Sequence, residues 1–537
     1  MSWRQCGMCG NVGRRSAMRQ WIITVAMVAL LLGSGLQVGA ASGQGTLAGV
    51  FGVIFGDPPP GSALPPQIIY RLTDDTGKTT EIRLSDRTLQ AVGGTIALNR
   101  QRVTVTGAPT TEADGATAIS VQTIKVETKS SATVTRQAMT TGPQPFLNVL
   151  CRFSDEPTTD PISPAYMDGL MSSIAPGLGD FFSQTSFGKI NLNGTTTVGW
   201  FILPHAKAYY TPADPTTDGL TEMQFTNLAQ DCTKLVPTTM NGVPFDVSPF
   251  KGLNLIFNDD LGCCAYGGEG QQLTINGVPR LWPTTWMPPW GVLNGFKGNV
   301  GGQTVLAHEM GHAFGLEHSA GPTGKTYKNA WDVMSDTYTN CGLPGATDST
   351  YGCLGQHQIG YDKDSLGWIL AAQKFTYAGA MQTLTFGALA DATNTNYYLA
   401  VIPHTGTTTQ FTTVEFRRRI GYDLKLIGDA VIIHEVDTTR TDPAWVVGTD
   451  GNAGAMFTAG KTYTVPNSGN VSVAINAIGS ITASVTIGIP TSRPGPLPPA
   501  RPGATIITGA QPVIPGGARS GGAIPGSNPA PMPLGHR

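Results

Sequence analysis

The stretch from His308 to His318 constrains the fold of this chain more than any other part of the sequence. It has the pattern H-E-x-x-H-x-x-G-x-x-H, and its first two histidines are four residues apart, which places them on one face of a helix. Gly315 follows where such a helix must end, because glycine tolerates the positive φ that stops a helix. The chain can then turn back and bring His318 beside the other two histidines.

These side chains are the ones that a catalytic zinc site requires. His308, His312 and His318 would supply three nitrogen ligands, and the fourth position of a tetrahedral zinc ion would stay open for water. Glu309 projects beside them, where a carboxylate can accept a proton from water. Three of only eight histidines fall within these eleven residues, which argues against a chance match. The motif therefore predicts a zinc site with Glu309 as the general base and acid.

The N-terminus has the features of a signal peptide. Several arginines precede an apolar run from Trp21 to Leu32, which is too short to span a membrane comfortably. Small residues at Val38-Gly39-Ala40 then offer a cleavage point, so residues 1–40 are predicted to be removed and the protein to be secreted to the extracellular space. An uncleaved anchor or a buried N-terminal helix is the alternative.

The cysteines agree with export to an oxidising compartment. Six cysteines lie beyond residue 40, and in such a compartment disulfide bonds are the default. We expect Cys341 to pair with Cys353, because this bond closes a short loop after the histidine motif. The adjacent Cys263 and Cys264 are expected to bond to different partners. A second metal cluster is the alternative, although no C-x-x-C occurs beyond residue 40.

The charge of the chain gives no reason to expect an anionic partner. The net charge is −2 and only 13% of residues are charged, so neither nucleic acid nor an anionic membrane surface is indicated. We expect protein or peptide substrates, no nucleic-acid partner and no stable membrane insertion once the signal is removed. The sequence does not indicate an oligomeric state.

Residues 41–127 are predicted to form a small β domain. A barrel of about five strands suits the alternating runs Ile68–Leu72, Glu81–Leu84, Arg102–Val105 and Thr117–Val126. Its position suggests a propeptide, and therefore a zymogen, whereas a binding module that stays attached is the alternative. It contains no cysteine, so latency would have to rely on burial or on a carboxylate rather than on a thiolate. Residues 128–145, rich in Thr, Ser, Gly and Pro, are predicted to be a linker and processing region.

Residues 146–370 are predicted to form the catalytic domain. Strands are indicated by the apolar runs Phe146–Phe153, Ile190–Leu192, Trp200–Leu203 and Leu253–Asn258. Ser163 followed by Pro164 marks the start of a helix, and Gln303 to Phe314 should form the active-site helix. The Gly/Pro/Trp-rich segment Asp259–Asn299 is expected to be irregular and to lie near the cleft. Within it, Thr285–Trp290 could line a substrate groove or pack as a loop.

The C-terminal third divides into two parts. Regularly spaced strands in residues 371–489 predict an antiparallel β-sandwich, which either braces the catalytic domain or binds matrix or cell-wall material. Residues 490–537 form a Pro/Gly-rich tail that is predicted to be disordered. Asp362 and Asp364 could help to bind Ca²⁺, with a solvated acidic loop as the alternative.

Beyond the histidine motif, Asp332-Val333-Met334-Ser335 follows His318 after thirteen residues. Together the two segments resemble the metzincin clan of zinc endopeptidases, in which a Met on a tight turn packs beneath the zinc-binding histidines. The resemblance assigns Met334 to this structural Met-turn and implies an α+β metzincin-type catalytic domain. Some metzincins carry a Tyr two residues after the Met, whereas this chain has Asp336 there and Tyr338 two residues further on.

Within the clan the chain is most similar to gametolysin-like and immune-inhibitor-A-like secreted proteases. The similarity covers about residues 146–368, with a weaker extension to about 489, and rests on the segments Ser183–Lys189, His318-Ser319, Leu366–Trp368, Val414–Arg417, Gly421–Asp423 and Val431–Asp437. It implies a zinc-dependent endopeptidase that cleaves peptide bonds with zinc-activated water and Glu309. A catalytically silent adhesin and a zinc amidase acting on cell-wall material are the alternatives. His357 is interpreted as a core or solvent histidine rather than a further ligand.

Overall fold

The computed structural model describes residues 45–62, 64–111, 117–127, 140–212, 223–295 and 302–490. The predicted signal peptide (1–40), residues 128–139 of the predicted linker and the predicted tail beyond residue 490 lie outside them. Within these ranges the fold is mixed α+β with more strand than helix, which confirms the broad fold class. No helix of the described ranges is long and apolar enough to cross a membrane.

Five strands near the N-terminus close into a small barrel. The elements of this part are β1 (Gly45–Asp57), β2 (Gln67–Thr73), β3 (Thr79–Arg83), α1 (Asp86–Ala91), α2 (Thr95–Leu98), β4 (Arg102–Thr111) and β5 (Thr117–Val126). Neighbouring strands pair in the order β1-β2-β3-β5-β4 and back to β1. Alternate residues of these strands, such as Phe51, Leu72 and Val105, are buried inside the barrel. The predicted runs therefore do form strands of a five-stranded barrel.

The middle of the chain holds most of the helices. Its elements are β6 (Gly142–Pro143), β7 (Phe146–Arg152), α3 (Pro164–Leu170), α4 (Leu178–Thr185), β8 (Ile190–Asn191), β9 (Thr196–Ile202), α5 (Lys207–Tyr210), α6 (Phe225–Thr233), β10 (Thr239–Met240), β11 (Val243–Pro244), β12 (Gly252–Phe257), β13 (Ala265–Ile275), β14 (Val278–Met287), α7 (Pro289–Val292), α8 (Gln303–Ala313), β15 (Ser319–Ala320), β16 (Thr347–Asp348), β17 (Gly352–Cys353) and α9 (Gly360–Ser365). Helix α3 begins as predicted, because the Ser163 hydroxyl accepts a hydrogen bond from the Tyr166 amide and Pro164 stands in the first turn.

One sheet continues from the barrel into the middle of the chain. Its strand order is β2-β3-β5-β4-β1-β13-β14-β12-β7-β9, so the last residues of β1 bind the edge of β13. This pairing is antiparallel and aligns Ile54 with Gly268 and Asp57 with Ala265. The barrel and the middle segment therefore share a backbone hydrogen-bond network, and β1 belongs to both.

The expectation that Asp259–Asn299 is irregular was wrong. This segment contains the β13–β14 hairpin and α7, and Ile275 pairs with Val278 across a two-residue turn. The turn residues Asn276 and Gly277 both have positive φ, of 47° and 81°. Asn-Gly is the preferred sequence for such a turn, because it lets two twisted strands reverse without splaying. The abundance of Gly and Pro concealed this hairpin signal.

The C-terminal part contains two facing sheets. Its strands are β18 (Lys374–Thr376), β19 (Gln382–Gly387), β20 (Leu399–Pro403), β21 (Gln410–Arg417), β22 (Ala430–Asp437), β23 (Ala444–Val446), β24 (Thr462–Thr464), β25 (Ser472–Ile478) and β26 (Thr482–Gly488), with short 3-10 helices at Ala371–Gln373, Gly421–Lys425 and Ala453–Ala455. One sheet has the order β15-β23-β22-β21-β20-β18 and the other β19-β26-β25-β24. Buried residues of both sheets form one core, including Ile402, Val414 and Ile433 from the first and Phe386, Val473 and Val485 from the second.

The prediction of an antiparallel sandwich was only partly right, because two of its strand pairs are parallel. The pairs β15–β23 and β18–β20 at the two edges of the larger sheet are parallel. Strand β15 is also not part of residues 371–489, since it consists of the two residues that follow His318. The sheet therefore extends into the segment that carries the third histidine.

Three disulfide bonds join the six cysteines of the described residues. Cys341 bonds to Cys353, as predicted. The adjacent Cys263 and Cys264 bond to each other, contrary to the expectation of different partners. Strand β7 and helix α6 bring Cys151 within 6.0 Å of Cys232, measured between Cα atoms, and this bond leaves the adjacent pair only each other. Three disulfides fit an oxidising compartment.

Candidate metal centre

Helix α8 and the turn after it bring the three histidines together. The helix ends at Phe314, and Gly315 has a φ of 95°. The amides of Gly315 and Leu316 donate to the carbonyls of His312 and Gly311, respectively, which satisfies the free end of the helix. After this reversal the Nε2 atom of His312 lies 3.1 Å from the Nε2 atoms of both His308 and His318.

The hydrogen bonds of the Nδ1 atoms of His308 and His312 determine what the Nε2 atoms of the same rings can bind. The Nδ1 atoms of His308 and His312 lie 2.6 Å from the Val333 carbonyl oxygen and 2.7 Å from the Leu316 carbonyl oxygen. A carbonyl oxygen only accepts, so each Nδ1 carries the proton and each Nε2 keeps a lone pair. Burial lowers the pKa of His312 to about 3, which keeps its ring neutral. Two lone pairs 3.1 Å apart repel each other, and a cation between them would relieve this repulsion.

A fourth side chain comes from the N-terminal strand. Asp57, the last residue of β1, places its Oδ1 atom 2.8 Å from Nε2 of His318. Its Oδ2 atom lies 3.4 Å from Nε2 of both His308 and His312 and has no hydrogen-bond partner. Burial favours the neutral carboxyl, but His318 and His308 outweigh it and hold the pKa of Asp57 well below its usual value. Burial alone would lower the pKa of His318. The nearby Asp57 carboxylate has the larger opposite effect, so the pKa of His318 is raised.

These four buried side chains could hold a metal ion. Among the described residues, Asp57, His308, His312 and His318 form the one cluster of at least three ligating groups whose ligand atoms all lie within 4.8 Å of one another. Imidazole nitrogens and a carboxylate suit several divalent transition metals. Asp57 could not be found from the sequence, because it lies 261 residues before His318 and has no local pattern of its own.

Glu309 lies beside the cluster at the bottom of a cleft. Its side chain is buried, and neither carboxylate oxygen has a hydrogen-bond partner. Burial and the neighbouring Asp57 carboxylate raise the pKa of Glu309 well above its usual value. The cleft is lined by His308, Glu309, Trp290, Tyr338, Tyr327 and the Pro-rich segment after Asp57. The segment Thr285–Trp290 could line a substrate groove or pack as a loop, and its two tryptophans differ. Trp286 packs in the core, whereas Trp290 lines the cleft.

Met334 packs against α8 directly below the histidines. It is fully buried, and a side chain at Gly311 would put its Cβ atom only 2.2 Å from the Met334 sulfur. The Asp332 carboxylate accepts a hydrogen bond from the Met334 amide, which fixes the turn. The preceding carbonyl, that of Val333, is the one that accepts from His308. The turn therefore both supports the helix and orients one of its histidines.

Residues of the C-terminal part form hydrogen bonds with the segment that leads into the Asp332–Met334 turn. The Arg417 guanidinium donates to the Trp331 carbonyl, and the Trp331 indole donates to the Asn452 carbonyl over 3.0 Å. Asn329 Nδ2 lies 3.2 Å from His434 Nε2 on β22. The Asp442 carboxylate is 4.0 Å from Nδ1 of His318. These contacts favour a bracing role for the C-terminal part.

Other candidate residues lie outside the cluster. His357 is buried and its Nδ1 faces Lys363 Nζ at 2.8 Å, so it is a core histidine. Asp364 pairs with Lys374, whereas Asp362 is buried beside Asp332, and neither belongs to the cluster. The Asp336 carboxylate accepts from the amides of Tyr338 and Thr339, which caps the local turn.

Tyr327 is a second side chain that the sequence analysis missed. Its hydroxyl donates to the Oδ1 atom of Asp57, and its ring meets the His318 ring edge-on, with centroids 5.4 Å apart. Burial and the Asp57 carboxylate raise the pKa of this phenol well above its usual value, so it remains a hydrogen-bond donor. A tyrosine nine residues after the last histidine carries no sequence signal, because its approach depends on the intervening loop.

In comparisons with known proteins, no family model matches this chain and no curated protein matches it.

Proposed function

We propose that this protein is a secreted zinc-dependent endopeptidase of the metzincin type. The observation that carries the proposal is the convergence of three histidine Nε2 atoms beside the unpaired Glu309 carboxylate at the bottom of a cleft. A structural metal site has no need of an adjacent carboxylate without hydrogen bonds. The three disulfides and the predicted signal support secretion.

The donor set fits zinc. Zn–N and Zn–O distances of about 2.0–2.2 Å put the ligand atoms of a tetrahedral site about 3.3–3.6 Å apart. The observed separations of 3.1 and 3.4 Å are close to this value. His308, His312 and His318 would hold the ion, and the carbonyls of Val333 and Leu316 would fix two of the rings in the ligating tautomer.

The residues around the site have distinct roles in the proposed reaction. A bound zinc ion supplies a Lewis acid that activates water and polarises the scissile carbonyl. Glu309 accepts the proton of the attacking water and passes it to the leaving amine. Tyr327 donates a hydrogen bond to the developing oxyanion, because its hydroxyl is directed at the position that the Asp57 oxygen now takes.

One assay tests the function against its alternatives. The chain, cut at a protease recognition sequence inserted between residues 128 and 139, is incubated with denatured casein and with cell-wall fragments, with and without a chelator. Chelator-sensitive casein cleavage supports the endopeptidase. Release of wall material alone would instead indicate an amidase, and neither activity would indicate a binding protein.

His318→Ala should weaken metal retention. Loss of a direct ligand should lower zinc affinity by more than the roughly 10- to 100-fold that loss of an outer-shell partner causes. Metal content after dialysis, measured by atomic emission, checks this, with His205→Ala as control because His205 is exposed and outside the cluster. Unchanged metal content in the His318 variant would show that this histidine is not a ligand.

Tyr327→Phe should lower kcat for casein-derived peptides on the order of 100-fold, with KM and zinc content nearly unchanged. The phenylalanine keeps the packing against His318 and removes only the hydroxyl donor. Tyr209→Phe, at a half-exposed tyrosine that does not belong to the cluster or to the lining of the cleft, is the control. Equal kcat values for the Tyr327 variant and the unmodified protein would exclude Tyr327 from the reaction.

A further inference from the structure

We propose that Asp57 is an internal metal ligand that closes the site in the full-length chain, and that β1 and the segment after it occupy the place of the substrate. This inference rests on the proposed function, since it describes how the same site is regulated. It also assigns the N-terminal part the role of an inhibitory segment that acts through a carboxylate.

The coordination itself supports closure. A catalytic zinc site has three protein ligands and a fourth position for water or substrate, whereas four protein ligands are typical of structural sites. Both Asp57 oxygens lie within 3.4 Å of a histidine Nε2 atom, so the carboxylate lies where that fourth ligand would bind. Glu309 then has no water beside the metal from which to accept a proton.

Strand β1 holds Asp57 in place through contacts on several sides. Residues Ile54 to Asp57 pair antiparallel with Gly268 to Ala265 on β13. Phe55 stacks on the His312 ring, with centroids 4.2 Å apart and planes inclined by 15°. The Arg100 guanidinium donates to the Ala313 carbonyl over 3.2 Å, at the C-terminal end of α8, where the helix dipole favours a cation. The barrel is therefore docked onto the active-site helix at more than one point.

The segment that follows Asp57 fills the cleft. Pro58, Pro59, Pro60, Gly61 and Ser62 line the same cavity as Glu309 and Tyr338. The chain passes so close that a Cβ atom at Gly61, which has a φ of 83°, would lie 2.8 Å from the Tyr338 hydroxyl. A peptide cannot pass Glu309 while this segment is present.

Opening the site requires removal of the whole strand and not only of one side chain. Strand β1 pairs with β2 and β4 inside the barrel as well as with β13. Separation of the N-terminal part would expose the backbone edge at Ala265–Gly268 next to the metal. An extended peptide could then pair with this edge by strand addition.

The test uses the full chain with Co²⁺ in the metal site and acetohydroxamate as the probe. Binding of the hydroxamate to Co²⁺ changes its visible absorption spectrum only if a coordination position is open. Asp57→Ala should bind the probe roughly 100-fold more tightly than the unmodified chain, as expected if the unmodified site is open in about 1% of molecules. Asp86→Ala, at an exposed aspartate of the same N-terminal part, should behave like the unmodified chain. Asp57→Asn repeats the test with a side chain of the same shape.

Casein cleavage by the cut chain separates this inference from the proposed function, because Pro58–Ser62 still fills the cleft in the full-length variants. Tighter probe binding by full-length Asp57→Ala together with casein cleavage by the cut chain supports both. Tighter probe binding without casein cleavage by any form would support the internal ligand and contradict the endopeptidase. Equal probe binding by the unmodified and Asp57→Ala full-length chains would overturn the internal ligand, whether or not the cut chain cleaves casein.

Discussion

Glu309→Ala is expected to keep the metal and to lower peptide-bond cleavage by roughly 10²- to 10⁴-fold, the usual contribution of a positioned general base. Glu309 is not part of the ligand cluster, so zinc content should not change. Neither of its carboxylate oxygens has a hydrogen-bond partner among the described residues, so removal of the side chain breaks no hydrogen bond. The loss should therefore appear in kcat and not in stability.

Cleavage of a fluorogenic casein peptide by the cut chain, together with metal content and a thermal unfolding curve, measures this effect. Glu156→Ala is the matched control, because Glu156 is exposed and does not belong to the cluster. If Glu309→Ala cleaves the peptide nearly as fast as the unmodified protein, Glu309 is not the general base.

Arg417→Met is expected to lower the free energy of unfolding by about 3–5 kcal/mol, since it leaves buried carboxylates without their partner. The guanidinium is fully buried and contacts Asp423 through two hydrogen bonds of 2.8 Å. It also contacts Glu415 at 3.0 Å and the backbone carbonyl of Trp331 next to the Met-turn. Burial raises the pKa of Glu415, and Arg417 opposes this shift, which reflects how strongly the carboxylate depends on it.

Urea unfolding followed by fluorescence gives the free energy of unfolding for this variant. Arg418→Met is the control, because the Arg418–Asp429 pair is partly exposed and such pairs contribute at most about 1 kcal/mol. Adding Asp423→Asn and Glu415→Gln to Arg417→Met should recover part of the lost stability, because the unpaired charges are then removed. Similar stabilities of the Arg417 and Arg418 variants would mean that the buried cluster is not a stabilising element.

Much of the local structure could be predicted from the sequence. The start of α3 follows from Ser163-Pro164, and the end of α8 follows from Gly315, because capping depends on one or two residues. The Cys341–Cys353 bond follows from a short loop. The β13–β14 hairpin, which was not predicted, also has a local signal, because Asn276-Gly277 favours a two-residue turn.

Other features depend on pairings between distant segments. The bond between Cys263 and Cys264 follows only once Cys151 and Cys232 are close, which requires β7 to pack against α6. One parallel edge of the C-terminal sandwich arises because β15, from the segment after His318, joins a sheet formed mostly by later residues. Neither arrangement leaves a local trace in the sequence.

The sequence by itself determined that His308, His312 and His318 come together with Glu309 beside them, because helical periodicity and one glycine turn place these groups within eleven residues. Only the tertiary structure decided that Asp57 and Tyr327 meet them. The position of Asp57 depends on the register between β1 and β13, and a shift of one residue would turn its side chain to the opposite face of the sheet. Register between strands so far apart in the chain is set by the packing of the whole protein and not by local residues.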